Sequence, residues 1–128
     1  MTERLLPKPA ITSDVKPFWD AAERGEMLVK TCKSCSKLHY YPRPHCPYCM
    51  SSETEWTKVS GRGTIYSYSV MRRAPQPYAI AYIALEEGVT VLSNIVECDL
   101  DKLAIGQKVA LSFAKTDGGP QVPVFKPA

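Results

Sequence analysis

The chain is predicted to be mainly β, with an N-terminal helix, a zinc ribbon and a C-terminal five-stranded barrel of OB-fold type. Three observations predict this. Cys32, Cys35, Cys46 and Cys49 form two C-x-x-C pairs with ten residues between them, the spacing of a ribbon with four thiolate ligands. From Trp56 onward the apolar residues alternate or run in short branched stretches bounded by glycine and turn residues, a strand pattern. Gly61-Arg62-Gly63 breaks or bends the chain near the start of that region. An SH3-like barrel or a small sandwich is the alternative for the β part. The expected divisions are 1–25 for the N-terminal extension and helix, 26–54 for the ribbon and 55–128 for the barrel.

Residues 1–11 are polar and rich in proline and are expected to be extended. Ser13 or Asp14 suits a helix N-cap, with Pro17 in the first turn. Phe18, Trp19 and Ala22 give that helix an apolar side, directed to the chain's own core, and Gly25 stops it. Met27-Leu28-Val29 is a short strand leading into the first knuckle. Ser51–Glu55 reads as a loop and Trp56–Val59 as a strand. Thr64–Met71 alternates, which places Tyr66, Tyr68 and Val70 on one face and Ile65, Ser67 and Ser69 on the other. Tyr78–Leu85 and Val89–Val96 form a hairpin around Glu86-Glu87-Gly88. Asp99–Leu103 suggests one helical turn. Val109, Leu111 and Phe113 mark a fifth strand, and Val122–Phe125 is a last extended piece. Five strands in this span, with a helical turn before the last main one, suit a small closed barrel.

Four thiolates close the coordination sphere of Zn²⁺, so the site is structural and not catalytic. Iron suits the same four thiolates. A disulfide pair or a thioredoxin-like pair is the other rival. No apolar signal peptide opens the chain, so a reducing, cytoplasmic setting is expected. A thioredoxin-like pair needs a βαβ context that the pattern lacks. His39 and His45 lie inside the ribbon and are read as ordinary histidines. Four thiolates and one Zn²⁺ together subtract two charges, so the formal +3 becomes about +1. Near neutrality weakens a nucleic-acid reading based on net charge.

At 128 residues the chain holds one ordinary domain or two small units sharing an interface. No apolar run approaches the ~20 residues of a membrane span. No nucleophile–base pair, paired carboxylate set, open metal site or phosphate loop is evident. Cys98 sits beside Glu97 and Asp99, which disfavour its thiolate, so it reads as an inert thiol.

The order of parts is specific: a helix, Leu28, Cys32-x-x-Cys35, Pro42-Arg43, Cys46-Pro47-x-Cys49, Trp56 and Ser60-Gly-Arg-Gly-Thr-Ile-Tyr66. It resembles the family that joins a rubredoxin-like zinc ribbon to an OB-fold, once called domain of unknown function 35. The resemblance covers the chain from about Lys16 onward. Where that family usually carries glycine after each cysteine pair, this chain has Ser36 and Met50. The resemblance implies a non-catalytic accessory subunit beside a thiolase-like, aldolase or hydratase enzyme acting on acyl-CoA. It carries over no catalytic residue. A CoA ligand needs cations for its phosphates. Arg72 and Arg73 are the best candidates, followed by Arg62 and Arg43, with Tyr66, Tyr68, Tyr78 and Tyr82 available to line a barrel face. Set against this, paired loop arginines are usually solvated and strand tyrosines usually edge a core. A pure scaffold without small ligand is one alternative. An OB-fold binding single-stranded nucleic acid on its tyrosines is the other. A homo-oligomer is compatible with all three.

Overall fold

A computed structural model describes residues 6–128. The element order is α1 (Lys16–Glu23), β1 (Leu28–Cys32), β2 (Leu38–His39), β3 (Thr54–Lys58), β4 (Arg62–Met71), β5 (Tyr78–Leu85), β6 (Thr90–Ile95), β7 (Lys108–Ala114) and β8 (Val122–Pro127). The expected extended segment at 1–11 falls partly outside the described residues. From Leu6 the chain is irregular, apart from one parallel bridge to Thr116.

Helix α1 begins one residue later than its predicted caps. Val15 occupies the N-cap and makes no side-chain cap bond. Thr12 Oγ1 instead donates to the Asp14 carboxylate, which takes that oxygen away from the helix end. Pro17 lies in the first turn as expected, and Gly25, at φ +79°, ends the helix. Phe18 and Trp19 are buried. Phe18 meets Trp19, Tyr40 and Tyr41 with ring centroids 4.9–5.9 Å apart. Trp19 Nε1 donates to Tyr41 Oη at 3.1 Å. At the other end Gln121 Nε2 donates to the Ala22 carbonyl at 2.6 Å. The helix therefore touches both the ribbon and the segment leading into β8.

The ribbon is a three-stranded antiparallel sheet in the order β2-β1-β3. This corrects the strand reading at 56–59. Thr54–Lys58 pairs with β1, from Leu28↔Lys58 to Cys32↔Thr54, and does not join the barrel. The fifth barrel strand is the C-terminal Val122–Pro127, read from sequence only as an extended piece. The closed order is β4-β5-β6-β8-β7. Prolines at 123 and 127 hid that strand, since each removes a ladder donor. Asp99–Leu103 is an isolated turn and not a helical one, with Lys102 N bonded to the Asp99 carbonyl at 3.0 Å.

Strand β4 also departs from simple alternation. Its pairing with β5 shifts between Ile65 and Ser67, so Tyr66 is an extra residue at a bulge. Ile65 faces inward opposite Ile83. After the bulge Tyr68 and Val70 share the face of buried Ala81 and Ala79, with the Tyr68 ring still partly exposed, while Ser67 lies on the opposite face with Tyr82. Tyr66 is thus turned to solvent, 68% exposed, away from the face of Tyr68 and Val70. The glycines before the bulge serve close approach. A Cβ on Gly63 would lie 2.7 Å from the Ala84 carbonyl oxygen, and one on Gly61, at φ +83°, would strike Leu111. One core holds the whole: Phe18, Met27, Val29 and Val59 belong to the same buried cluster as Ile65, Ile83, Val109 and Phe125.

Candidate metal centre and barrel surface

Each C-x-x-C pair follows from a tight turn. In the first knuckle Ser36 N returns to the Cys32 carbonyl at 2.9 Å; in the second, Met50 N returns to the Cys46 carbonyl at 2.8 Å. Ser36 (φ 64°) and Met50 (φ 65°) take the left-handed conformation that glycine favours. The substitutions seen in the sequence thus leave the knuckle turns intact and strained. The knuckles are tied together by Ser34 Oγ and Ser51 Oγ at 2.8 Å, and by Lys33 N donating to the Glu53 carbonyl at 2.7 Å.

These turns bring all four sulfurs within 4.8 Å of one another. Cys32 Sγ and Cys49 Sγ are 3.5 Å apart, and Cys35 Sγ and Cys46 Sγ 3.7 Å. A tetrahedral thiolate site with metal–sulfur bonds of about 2.3 Å has edges of about 3.8 Å, so the sulfurs lie at the spacing a metal needs. Their electrostatics agree. The Cys35 amide, helped by that of Ser34, pulls the Cys32 thiol down to about 6. The Ser51 amide favours the Cys49 thiolate, but the Cys32, Cys35 and Cys46 sulfurs outweigh it and push that thiol up to about 12. The cluster cannot carry four negative charges without a cation among them. The four cysteines are positioned to bind a metal ion, and neither histidine belongs to the cluster. His39 is buried, accepts from Arg43 N at Nε2 (3.2 Å) and leaves Nδ1 without a partner among the described residues. Burial holds its pKa below the ordinary value.

The candidate arginines are not brought together. Arg62 opens β4 and clasps Glu86 in a two-point pair at 2.8 and 3.1 Å. Arg72 lies just past the far end of β4, bonded to Asp101 at 2.7 Å. Ten residues of strand separate them by about 30 Å, so one phosphate group cannot meet both. Arg73 is exposed beside Arg72. Tyr68 donates its hydroxyl to the Leu103 carbonyl at 2.9 Å, while Tyr66 and Tyr82 stand outward with Leu92. Cys98 is half-buried, and burial first and Asp99 second raise its thiol, as an inert role requires.

The sequence reading missed a cleft of about 1090 Å³ between the 72–77 loop and the end of β7. Pro75 and Pro77, which bound it, were the available signal. No helix among the described residues is long and apolar enough to cross a membrane.

Comparison with known proteins gives these findings. Residues 19–55 match the family model described as the rubredoxin-like zinc ribbon domain of ChsH2, and residues 56–114 match its C-terminal OB-fold domain. A probable enoyl-CoA hydratase alpha subunit of Thermomonospora curvata is 34% identical over 97% of this chain, which spans 40% of that protein. A DUF35 domain-containing scaffold protein of Methanocaldococcus jannaschii is 38% identical, over 81% of this chain and 80% of the relative. A chain of the solved Ltp2-ChsH2(DUF35) aldolase superposes with TM-score 0.82 at 33% identity, covering 94% of this chain and 98% of that one. The two matched models, the scaffold relative and the superposition agree: the chain belongs to the DUF35 family, a zinc ribbon joined to a closed OB-fold barrel.

Proposed function

We propose that this protein is a non-catalytic accessory subunit that docks on a thiolase-like, aldolase or hydratase enzyme acting on acyl-CoA. The observation that carries the reading is whole-chain likeness: nearly the entire chain superposes on one component of an aldolase assembly. The four-sulfur site supports it, because a closed thiolate site fastens a fold and leaves no open position for substrate. On the same reading the site holds Zn²⁺ at Cys32, Cys35, Cys46 and Cys49, in preference to iron. Co-purification with a tagged acyl-CoA enzyme encoded beside this chain tests the subunit role. A chain that stays alone with every such neighbour defeats it. Metal analysis showing one zinc per chain is the expected result for the site.

Within that reading Arg72 and Arg73 are the cations offered to a CoA phosphate, with Arg62 remote. Acyl-CoA calorimetry on the assembled complex, wild type against Arg72→Ala with Arg73→Ala, is expected to lose affinity about tenfold if the pair contacts phosphate. A second reading, a scaffold without small ligand, is favoured by a specific observation. Arg62 and Arg72 are already engaged by Glu86 and Asp101. Absence of heat from both proteins, partner included, supports the scaffold.

A further inference from the structure

The cleft of about 1090 Å³ lies between the β4–β5 loop, the segment that follows β6 and the end of β7. Its lining is unsuited to nucleic acid or to a phosphate-bearing cofactor. Pro75, Pro77, Ile95 and Phe113 supply apolar walls, the charged residues on the lining are Glu97 and Asp99, and no lysine or arginine is among them. Lys126 and Lys102 approach those two carboxylates only to 3.8 and 4.0 Å, beyond hydrogen-bond reach, and all four side chains are largely solvated. Asp99 Oδ1 also accepts the Asp101 amide at 3.0 Å, so Glu97 and Asp99 Oδ2 are the positions with room for a further donor.

The chain itself shows what such a surface accepts. Leu6 forms part of the cleft wall. It is held as a single parallel β-bridge to Thr116, with Asp117 N donating to its carbonyl at 3.0 Å. Two residues on, Lys8 packs beside Gly119, where an added Cβ would lie 2.6 Å from Lys8 Cγ. Of this stretch only Leu6 lines the cleft, so an apolar side chain in extended backbone is what one lip already accepts.

We propose that the cleft between the 72–77 loop and β7 receives an extended segment of the partner enzyme, bearing an apolar side chain flanked by lysine or arginine. Proline and aromatic walls take the apolar side chain, and Glu97 and Asp99 take the flanking cations. This rests on the accessory-subunit reading above and states which face does the docking.

The test uses the full metallated chain. A capped peptide Arg-Leu-Leu-Pro-Lys, copying residues 4–8 of the sequence, is titrated into ¹⁵N-labelled protein beside Glu-Leu-Leu-Pro-Glu and an acyl-CoA. The basic peptide is expected to shift the amides of Gln76, Asn94, Glu97 and Ser112. The acidic peptide and acyl-CoA are expected to leave them in place. The variant Glu97→Lys with Asp99→Lys should lose the response at least tenfold while keeping its melting temperature. Equal response to both peptides, no response at millimolar peptide, or shifts produced by acyl-CoA instead would each overturn the proposal. Co-purification separates the two levels. A wild type that captures its enzyme while the double variant captures it equally well removes the cleft from docking and leaves the subunit role standing. A wild type that captures none defeats the subunit role itself.

Discussion

Replacing Cys46 by serine should loosen far more than one knuckle. The side chain is fully buried, and its sulfur accepts the Tyr48 amide at 3.4 Å besides facing Cys35. Structural zinc contributes about 10–16 kcal/mol of combined binding and folding energy. Divided over four thiolates, that is about 2.5–4 kcal/mol for one ligand. The ribbon's strands are only two to five residues long, so losing one ligand leaves its knuckles little other support. Its Met27 and Val29 lie in the same buried cluster as Ile83 and Phe125, so the loss reaches the barrel. At about 3–5 °C per kcal/mol for a chain of this size, the melting temperature should fall by about 10–20 °C. Circular dichroism melts paired with metal analysis measure both quantities. A variant that keeps one metal per chain and melts within about 2 °C of wild type would refute the reasoning.

Three further outcomes follow from the geometry. Met50→Gly relieves a left-handed backbone at an exposed position and should raise stability by about 0.5–1 kcal/mol in urea titrations, after the entropy that glycine adds to the unfolded chain. Gly63→Ala should destabilise by about 1–3 kcal/mol, because its Cβ meets the Ala84 backbone oxygen, which cannot rotate away; the same titration reads it. His39 has a folded pKa below its unfolded value, so burying it neutral adds no cost above about pH 6.5. As pH falls from 6.5 through the folded pKa, the unfolded chain binds the proton first and stability drops. Stability of wild type and His39→Gln between pH 7 and 5.5 should therefore diverge, with the flatter slope in the variant.

The metal centre was legible because thiolate chemistry is local: two turns of four residues carry all of it. The barrel was legible in kind, since alternation and turn residues mark strands one at a time. Pairing was harder to read. Trp56–Val59 looks like the first barrel strand from its composition, yet β3 is claimed by β1 through hydrogen bonds that no local pattern reveals. Val122–Pro127 looks too proline-rich for a closing strand. It is tolerated because it meets β6 at the single pair Ile95↔Phe125, and Ser93 Oγ donates to the Pro123 carbonyl at 2.9 Å. The helix cap failed for a similar reason: Asp14 has the right chemistry but spends it on Thr12.

The extra residue at Tyr66 imposes a length rule on β4. Upstream, odd-numbered Gly63 and Ile65 must point inward; downstream, even-numbered Tyr68 and Val70 must. The insertion reconciles the two halves by switching parity midway. Deleting Tyr66 alone would straighten the strand and leave Ser67 outward and Tyr68 inward, because Ile65 and Ser67 already pair with the consecutive Ile83 and Tyr82, whereas losing one residue from either flank would turn that flank's inward residues outward. Removing or adding residues in twos elsewhere along the strand would leave parity untouched. A bulge that looks like a local irregularity thus acts as a counting device: away from Tyr66, variation in β4 length should come in even steps.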